Sequence, residues 1–585
     1  MRYNNADYRN STKDIPKMAQ ILSPVAPDSM PLARVYRWEK ELADQPWLTQ
    51  PMGAGQVRTW TWSEAVNESR RIAEWLQAQG RTQGWDKDAK VAILSKNCAH
   101  WIMADIAIWM AGYVSVPLYP TLTAHSVRQI LEHSEARAIF VGKLDDYATM
   151  RPGIPDNVQR FGCVLSPQDD HRQWGDIIAS NPPMTGETRR DPDEMATIIY
   201  TSGTTGMPKG VMHSFATVAR APITMEQRIN PTAADRVLSY LPLSHIAERW
   251  TVESVSIRCG MQIFFAETQE TFLKDLQRAR PTLFVSVPRL WVKFQQGVFA
   301  KAPKQKLDRL FRIPFLGRMV KKKILTQLGF DTVRFAGGGA APMPGSLIEW
   351  YGKLGLELLE GYGMSENFGV SHGSKPGEGR PGYVGVPYEG VDHRIADSGE
   401  ILVRSHCNMI GYFKEPEKTR EALTEDGWLH TGDRGEIDAQ NRLRITGRVK
   451  ELFKTGKGKY VAPAPIESRL QANSSVEAVC VTGSGFPQPF AIVILSPEAT
   501  AAFAKPELRE ALSGSLKETM RAANEQADPH EHLTHIVVVP GSWTVENGFI
   551  TPTLKIKRNA VEDAYTPFFE DWARRRSGVV WHDAA

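Results

Sequence analysis

The 585-residue chain is poor in cysteine, with five scattered at Cys98, Cys163, Cys259, Cys407 and Cys480. No two have the spacing of a disulfide framework or a thiolate zinc site, and the scatter predicts a reducing, cytoplasmic setting. Charge of one sign is also lacking: the net charge is only +4. Without a long basic arm or a basic strand interleaved with aromatics, a nucleic-acid partner is not expected. Long apolar runs are missing too. The most hydrophobic stretch, IMADIAIWMAGYVSVPLYP, is broken by Asp105 and Gly112. It falls short of the ~20 apolar residues a membrane span needs and predicts a buried helix followed by a strand. The first twenty residues hold no apolar leader segment, and the chain has no internal repeat or low-complexity tract.

What is present is an ordinary globular composition, 42% hydrophobic and 23% charged. The length exceeds the roughly 250–300 residues at which a single core stops growing, so two or more domains are expected. Up to about residue 440, short β-branched runs alternate with helical patterns. VAILS (91–95), YVSVPLY (113–119), TIIYT (197–201), VLSYLPL (237–243) and LFVSVP (283–288) are predicted as buried strands, and residues 62–80 as an amphipathic helix ending in glycine. Such alternation predicts an α/β fold with largely parallel sheets. Near 440 the chain becomes basic and rich in glycine and proline, as a linker or functional loop would be, and a smaller sheet-and-helix unit is expected beyond it. The predicted division is an N-terminal extension (1–34), a large domain (35–447) and a small domain (448–585).

Residues 200–210 read YTSGTTGMPKG. A buried strand leads into a glycine-rich loop whose backbone N–H groups can turn inward as an anion-binding nest. Ser202, Thr204 and Thr205 add hydroxyl donors, and Lys209 adds a point charge suited to phosphate. The spacing is not that of the nucleotide P-loop, because counting from Gly203 reaches Pro208 where glycine is required.

The loop resembles the signature of the adenylate-forming superfamily, which includes acyl-CoA synthetases, luciferases and peptide-synthetase adenylation domains. Further segments resemble the family's other motifs in order: LPLSHIAER (241–249), FAGGGAAPMP (335–344), EGYGMSE (360–366), DGWLHTGD (426–433), GRVKELFKTGKGKYVAPAPIE (447–467) and TPTLKIKR (551–558). In the last, Thr553-Leu554 replace the serine-glycine common elsewhere. The likeness covers roughly residues 35–570 and implies a large multi-subdomain N-terminal domain with a small mobile α+β domain behind it.

It also implies roles. Thr201, Ser202, Gly203, Thr204, Thr205, Gly206 and Lys209 would hold the ATP phosphates. Gly338, Gly339, Glu360, Gly361, Tyr362 and Gly363 would form the adenine site, with Tyr362 stacked on the base. Asp433 would bind the ribose hydroxyls, and Arg448 would reach ribose or α-phosphate. Glu366, with Thr205, would ligate Mg²⁺. Lys555 would bridge the substrate carboxylate and the α-phosphate, with Lys557 on the same face of a strand as its rival. His245 would line the acyl pocket or gate the thiol. Lys450 would be the hinge, and Lys454, Gly456 and Lys457 would lie on the coenzyme A path.

These residues imply two acyl-transfer steps using ATP, Mg²⁺ and coenzyme A. The wording of LPLSHIAER, VPRLWVKF and KGKYVAPAPIE is most similar to long-chain fatty acid–CoA ligases. Medium-chain, aryl or steroid side-chain acids remain open, as does a carrier protein as acceptor. The state implied is monomer or homodimer. The segment at 301–325 is strongly basic with interspersed apolar residues. It is expected to be a solvated helical hairpin or, alternatively, a peripheral membrane contact.

Overall fold

The computed structural model describes residues 24–582 apart from 168, 170, 202–207, 504, 546, 552–554 and 576. The calls on the first 23 residues, on Ser202–Gly206 and on Thr553-Leu554 therefore lie outside the described residues.

An eight-stranded sheet forms the first layer, in the order Gly411–Tyr412, Lys209–Ser214, Met195–Thr201, Val114–Leu118, Lys90–Leu94, Ala136–Val141, Gln159–Gly162 and Arg172–Gln173. The pairing is parallel from Met195–Thr201 to the Arg172 edge. It turns antiparallel where Met195–Thr201 meets Lys209–Ser214. The central strands are apolar on both faces because helices cover both sides. The helix Ala99–Met110 is buried at every residue, which explains why its sequence has no polar stripe.

A second sheet pairs Arg236–Ser239, Gln262–Phe265, Pro46–Gly53 and Gln56–Thr61. A third runs Leu283–Ser286, Phe335–Gly338, Leu358–Tyr362, His372–Gly373, Val386–Pro387, its first three strands parallel. An antiparallel sheet of Val391–Ile395, Glu400–Ser405, Leu429–Ile437 and Leu443–Arg448 follows.

The chain leaves that sheet at Arg448 through a 3₁₀ turn, Val449–Glu451. Gly447 has φ 152°, a conformation open to glycine, and a Cβ there would stand 3.1 Å from the Ala462 Cβ. Beyond the turn lies a separate sheet of Val476–Thr482, Phe490–Leu495, Ile536–Val539 and Val579–Trp581, backed by the helix Pro506–Asn524. An ion pair between Arg289 Nη2 and Glu477 Oε1, 2.7 Å, ties this sheet to the large unit.

Several element ends differ from the sequence expectation, each for a local reason. The helix from Trp62 runs to Gln83, and its left-handed cap is Gly84, not Gly80. Gly80 is inside the helix, where a Cβ would meet the Tyr113 hydroxyl at 1.8 Å. The strand at 237–243 stops at Ser239, ahead of Pro242, which can donate no ladder hydrogen bond. The strand at 283–288 stops at Ser286, and Pro288 opens the helix Pro288–Lys301. The basic segment forms two helices, Lys304–Phe311 and Leu316–Leu328, as the hairpin reading expected.

Candidate active site

The parallel strands Met195–Thr201, Leu283–Ser286, Phe335–Gly338 and Leu358–Tyr362 all send their C-terminal ends to one cleft of about 3740 Å³. Open α/β sheets bind ligands at these ends. Thr201 and Lys209 face each other in the ladder, and both border the cleft.

Lys209 Nζ lies 4.8 Å above the Tyr412 ring. The Tyr412 hydroxyl donates to Glu366 Oε1 at 2.8 Å. A phosphate-type lysine and the carboxylate expected to take Mg²⁺ are thus organised around one tyrosine that the sequence reading missed. Glu366 sits in a 3₁₀ turn, Ser365–Asn367, held from behind. His213 Nε2–H donates to the Ser365 carbonyl at 2.7 Å. Burial lowers the His213 pKa to about 3, so it acts as a neutral donor.

Gly363 is a glycine for a packing reason. A Cβ there would stand 2.0 Å from the Gly369 carbonyl oxygen, and Gly369 itself backs onto the Trp250 ring. Gly338 is similarly tight against Met343 and Gly339 against the Gly361 carbonyl. Glu360 faces inward: its Oε1 accepts from the Met343 N–H at 3.1 Å, and the Gly382 N–H also points to it. Burial outweighs these bonds and raises its pKa to about 7. Its carboxyl braces the glycine-rich loop after Phe335–Gly338.

Asp433 is held at both oxygens. The Tyr362 hydroxyl donates to Oδ2 at 2.6 Å and Arg448 Nε donates to Oδ1 at 2.8 Å. Tyr362 is therefore a positioning partner of Asp433 as well as a ring on the cleft wall.

His245 caps a short helix, its Nδ1 accepting from the Ala247 N–H at 3.2 Å. Its ring lines the cleft, and burial, then the charge of Lys555, lowers its pKa to about 4. It is a neutral imidazole carrying its proton on Nε2. The same motif supplies two buried groups that sequence reasoning missed. Glu248 Oε1 accepts from the Ser239 hydroxyl, the Tyr240 N–H and the Asn97 amide. Arg249 reaches Thr197 and Ser115 in the central sheet and pairs with Asp105 and Glu253. The His245 segment is thereby fastened to the strand Met195–Thr201.

Lys555 reaches this cleft from the small unit. The residue is exposed at the cleft. Its pKa is lowered, first by burial and then by Arg448, while Asp433, Glu366 and Glu451 act to raise it. Lys557 does not share a regular strand with it. An isolated Ile550–Ile556 bridge replaces the expected strand, and Lys557 caps the helix Arg558–Tyr565. Arg558 anchors that helix through Glu467 at 2.6 Å and the Val481 carbonyl. Lys450 also borders the cleft. Lys454, Gly456 and Lys457 do not border it: the Gly456 N–H bonds to the Phe486 carbonyl within the small unit.

This chain belongs to the AMP-binding enzyme family: residues 36–413 match the AMP-binding enzyme model and 452–572 its C-terminal domain. A long-chain-fatty-acid–CoA ligase of Mycobacterium bovis is 31% identical over 560 residues, covering 87% of this chain and 91% of that relative. A peroxisomal long chain acyl-CoA synthetase of Arabidopsis thaliana is 31% identical, covering 86% and 80%. Among solved structures, a carboxylate reductase adenylation domain from Mycobacterium chelonae has a TM-score of 0.78 at 22% identity, covering 97% of this chain and 95% of that one. An anthranilate CoA ligase in complex with anthranoyl-AMP has a TM-score of 0.75 at 21% identity, covering 94% and 99%. At these identities the structural likeness concerns the fold.

Proposed function

We propose that the acid activated by this ATP-dependent acid–CoA ligase is a long-chain fatty acid. One observation carries the reading. The cleft lined by Lys209, Glu366, Asp433 and Lys555 is also lined by apolar side chains, among them Phe272, Leu290, Phe294, Leu307 and Ile324. A length of apolar wall joined to an anion site suits an amphiphile with one carboxylate. The relatives named as long-chain ligases support the same choice.

In the first step the substrate carboxylate attacks the α-phosphorus of ATP and pyrophosphate leaves. Lys555 neutralises both anions and aligns them. Lys209, with the loop Ser202–Gly206, holds the outgoing phosphates. Tyr362, with Gly338, Gly339 and Gly361, borders the base, and Asp433 takes the ribose hydroxyls in the orientation that Tyr362 and Arg448 impose. Glu366 offers one carboxylate oxygen at the cleft wall, which suits a cation bound mainly through phosphate and water oxygens. Glu366 and Thr205 would hold Mg²⁺, which when bound withdraws charge from the phosphate oxygens.

In the second step a coenzyme A thiol attacks the acyl carbonyl and AMP leaves. The small domain (448–585) turns about Val449–Glu451, with Lys450 at the hinge, and exchanges Lys555 for the Lys454–Lys459 loop. Neutral His245, a donor at Nε2, borders the path of the acyl carbonyl. ATP–pyrophosphate exchange across acids of graded length and aromaticity tests the reading. Long saturated or monounsaturated acids should give the highest kcat/KM, with a CoA thioester seen by mass spectrometry. A preference for aryl or short acids, or transfer only to a carrier protein, would overturn it.

A further inference from the structure

The helices Lys304–Phe311 and Leu316–Leu328 meet at a tip whose chemistry the active site does not explain. Phe315 is 80% exposed and Met319 69%, with Ile313 and Leu316 exposed beside them. Single exposed apolar residues are ordinary, but four within seven positions are not. Phe315 also sits at φ 62°, ψ −56°, and the Leu316 N–H bonds back to the Pro314 carbonyl at 2.7 Å. That is a γ-turn centred on a bulky residue, a strained arrangement. Gly317 permits it: a Cβ there would stand 2.8 Å from the Phe311 carbonyl oxygen. The turn thus holds a phenyl ring outward, in water, at a conformational cost.

Around the tip the charge is one-sided. Residues 301–325 contain nine Lys or Arg and a single acid, Asp308, which is engaged by Lys353 at 3.2 Å. Arg312, Arg318 and Lys322 are exposed next to the apolar tip. The opposite faces of the same helices, at Leu307, Leu310, Val320 and Ile324, line the active-site cleft. Among the described residues no helix is long and apolar enough to cross a membrane.

We propose that this hairpin docks on an anionic bilayer surface, with Phe315 and Met319 entering the acyl boundary, Arg312, Arg318 and Lys322 pairing with headgroups, and the acid passing from the bilayer into the cleft along the inner faces of the same two helices. Charge complementarity selects the partner: basic residues ringing an apolar tip are the pattern of interfacial binding. The docking step stands without the long-chain reading, and the delivery step rests on it.

The test is co-sedimentation of the full chain with vesicles of phosphatidylcholine alone or with phosphatidylglycerol, at low and high salt. The expected result is binding to the anionic vesicles only, weakened by salt. Replacing Arg312→Gln, Arg318→Gln and Lys322→Gln together should weaken it on the order of 100-fold. Phe315→Ser with Met319→Ser should shorten residence on the vesicle while thermal unfolding stays unchanged. Both variants should lose activity on acid supplied in anionic vesicles, yet match the wild type on a water-soluble shorter acid. Docking is overturned by equal binding to neutral vesicles, or by wild-type affinity in both variants. It is also overturned if the apolar variant disperses a dimer and leaves vesicle binding intact, which would assign the tip to a second copy of the chain. If no long-chain acid is activated under any presentation, the long-chain reading fails, while the vesicle affinities still decide docking.

Discussion

Replacing Gly363 by alanine tests whether the Glu366 turn is held where the geometry puts it. The new methyl carbon would stand 2.0 Å from the Gly369 carbonyl oxygen, well inside the 3.0 Å that real contacts respect. Gly369 cannot retreat freely. Trp250 is packed behind it, and its own N–H closes the turn on the Met364 carbonyl at 2.9 Å. The 364–369 turn must therefore shift by about 1 Å, a misplacement that near a reacting centre costs about 100-fold in rate. The stability cost of such overpacking is about 1–3 kcal/mol, small enough to leave the protein folded. The assay is ATP–pyrophosphate exchange alongside thermal unfolding. The expected result is a fall in kcat of about 100-fold with a modest drop in Tm. Exchange within threefold of the wild type would refute the claim that this glycine fixes Glu366.

Two further substitutions follow from hydrogen bonds in the cleft. Tyr362→Phe removes the 2.6 Å bond to Asp433. Because water can take its place in the open cleft, the loss should sit near the lower end for a bond to a charged group, about 1.5 kcal/mol, or about tenfold in the KM for ATP. An unchanged KM would show that Arg448 orients Asp433 unaided. Glu360 has a folded pKa of about 7 against an ordinary 4.5. A raised carboxyl pKa contributes stability that is complete below 4.5 and lost as pH rises through 7. Glu360→Gln should therefore resemble the wild type at pH 5 and be more stable at pH 8, by at most about 3 kcal/mol, with a correspondingly higher Tm. Parallel Tm profiles across that range would contradict the buried, proton-holding role.

Much of this arrangement was legible in the residues, and what escaped has a common cause. The strand Met195–Thr201 with its glycine-rich exit, the helix hairpin in the basic segment and the cleft positions of Lys209, Glu366, Asp433 and Lys555 all follow from local pattern plus motif order. The pairings did not. Tyr412 and Glu366 are 46 residues apart, Tyr362 and Asp433 71, His213 and Ser365 152. Only the sheet order brings them together, and nothing in the wording near Tyr412 or His213 sets either apart from an ordinary core residue. Strand ends at Ser239 and Ser286 were overrun because apolar runs continue past them. There the prolines decide, and hydrophobicity alone extends the strand. Gly363, expected at the adenine site, borders the cleft, and its close approach to Gly369 adds a packing role that the sequence did not show.

The most direct test separates the two half-reactions of a Lys555→Ala enzyme. Pyrophosphate exchange should vanish if Lys555, and not its cleft neighbour Lys557, bridges the carboxylate and the α-phosphate. Supplied acyl-adenylate should still be converted to the CoA thioester at close to the wild-type rate. Equal loss of both half-reactions would contradict the assignment of Lys555 to the first step alone, and with it the exchange of the two faces of the small domain.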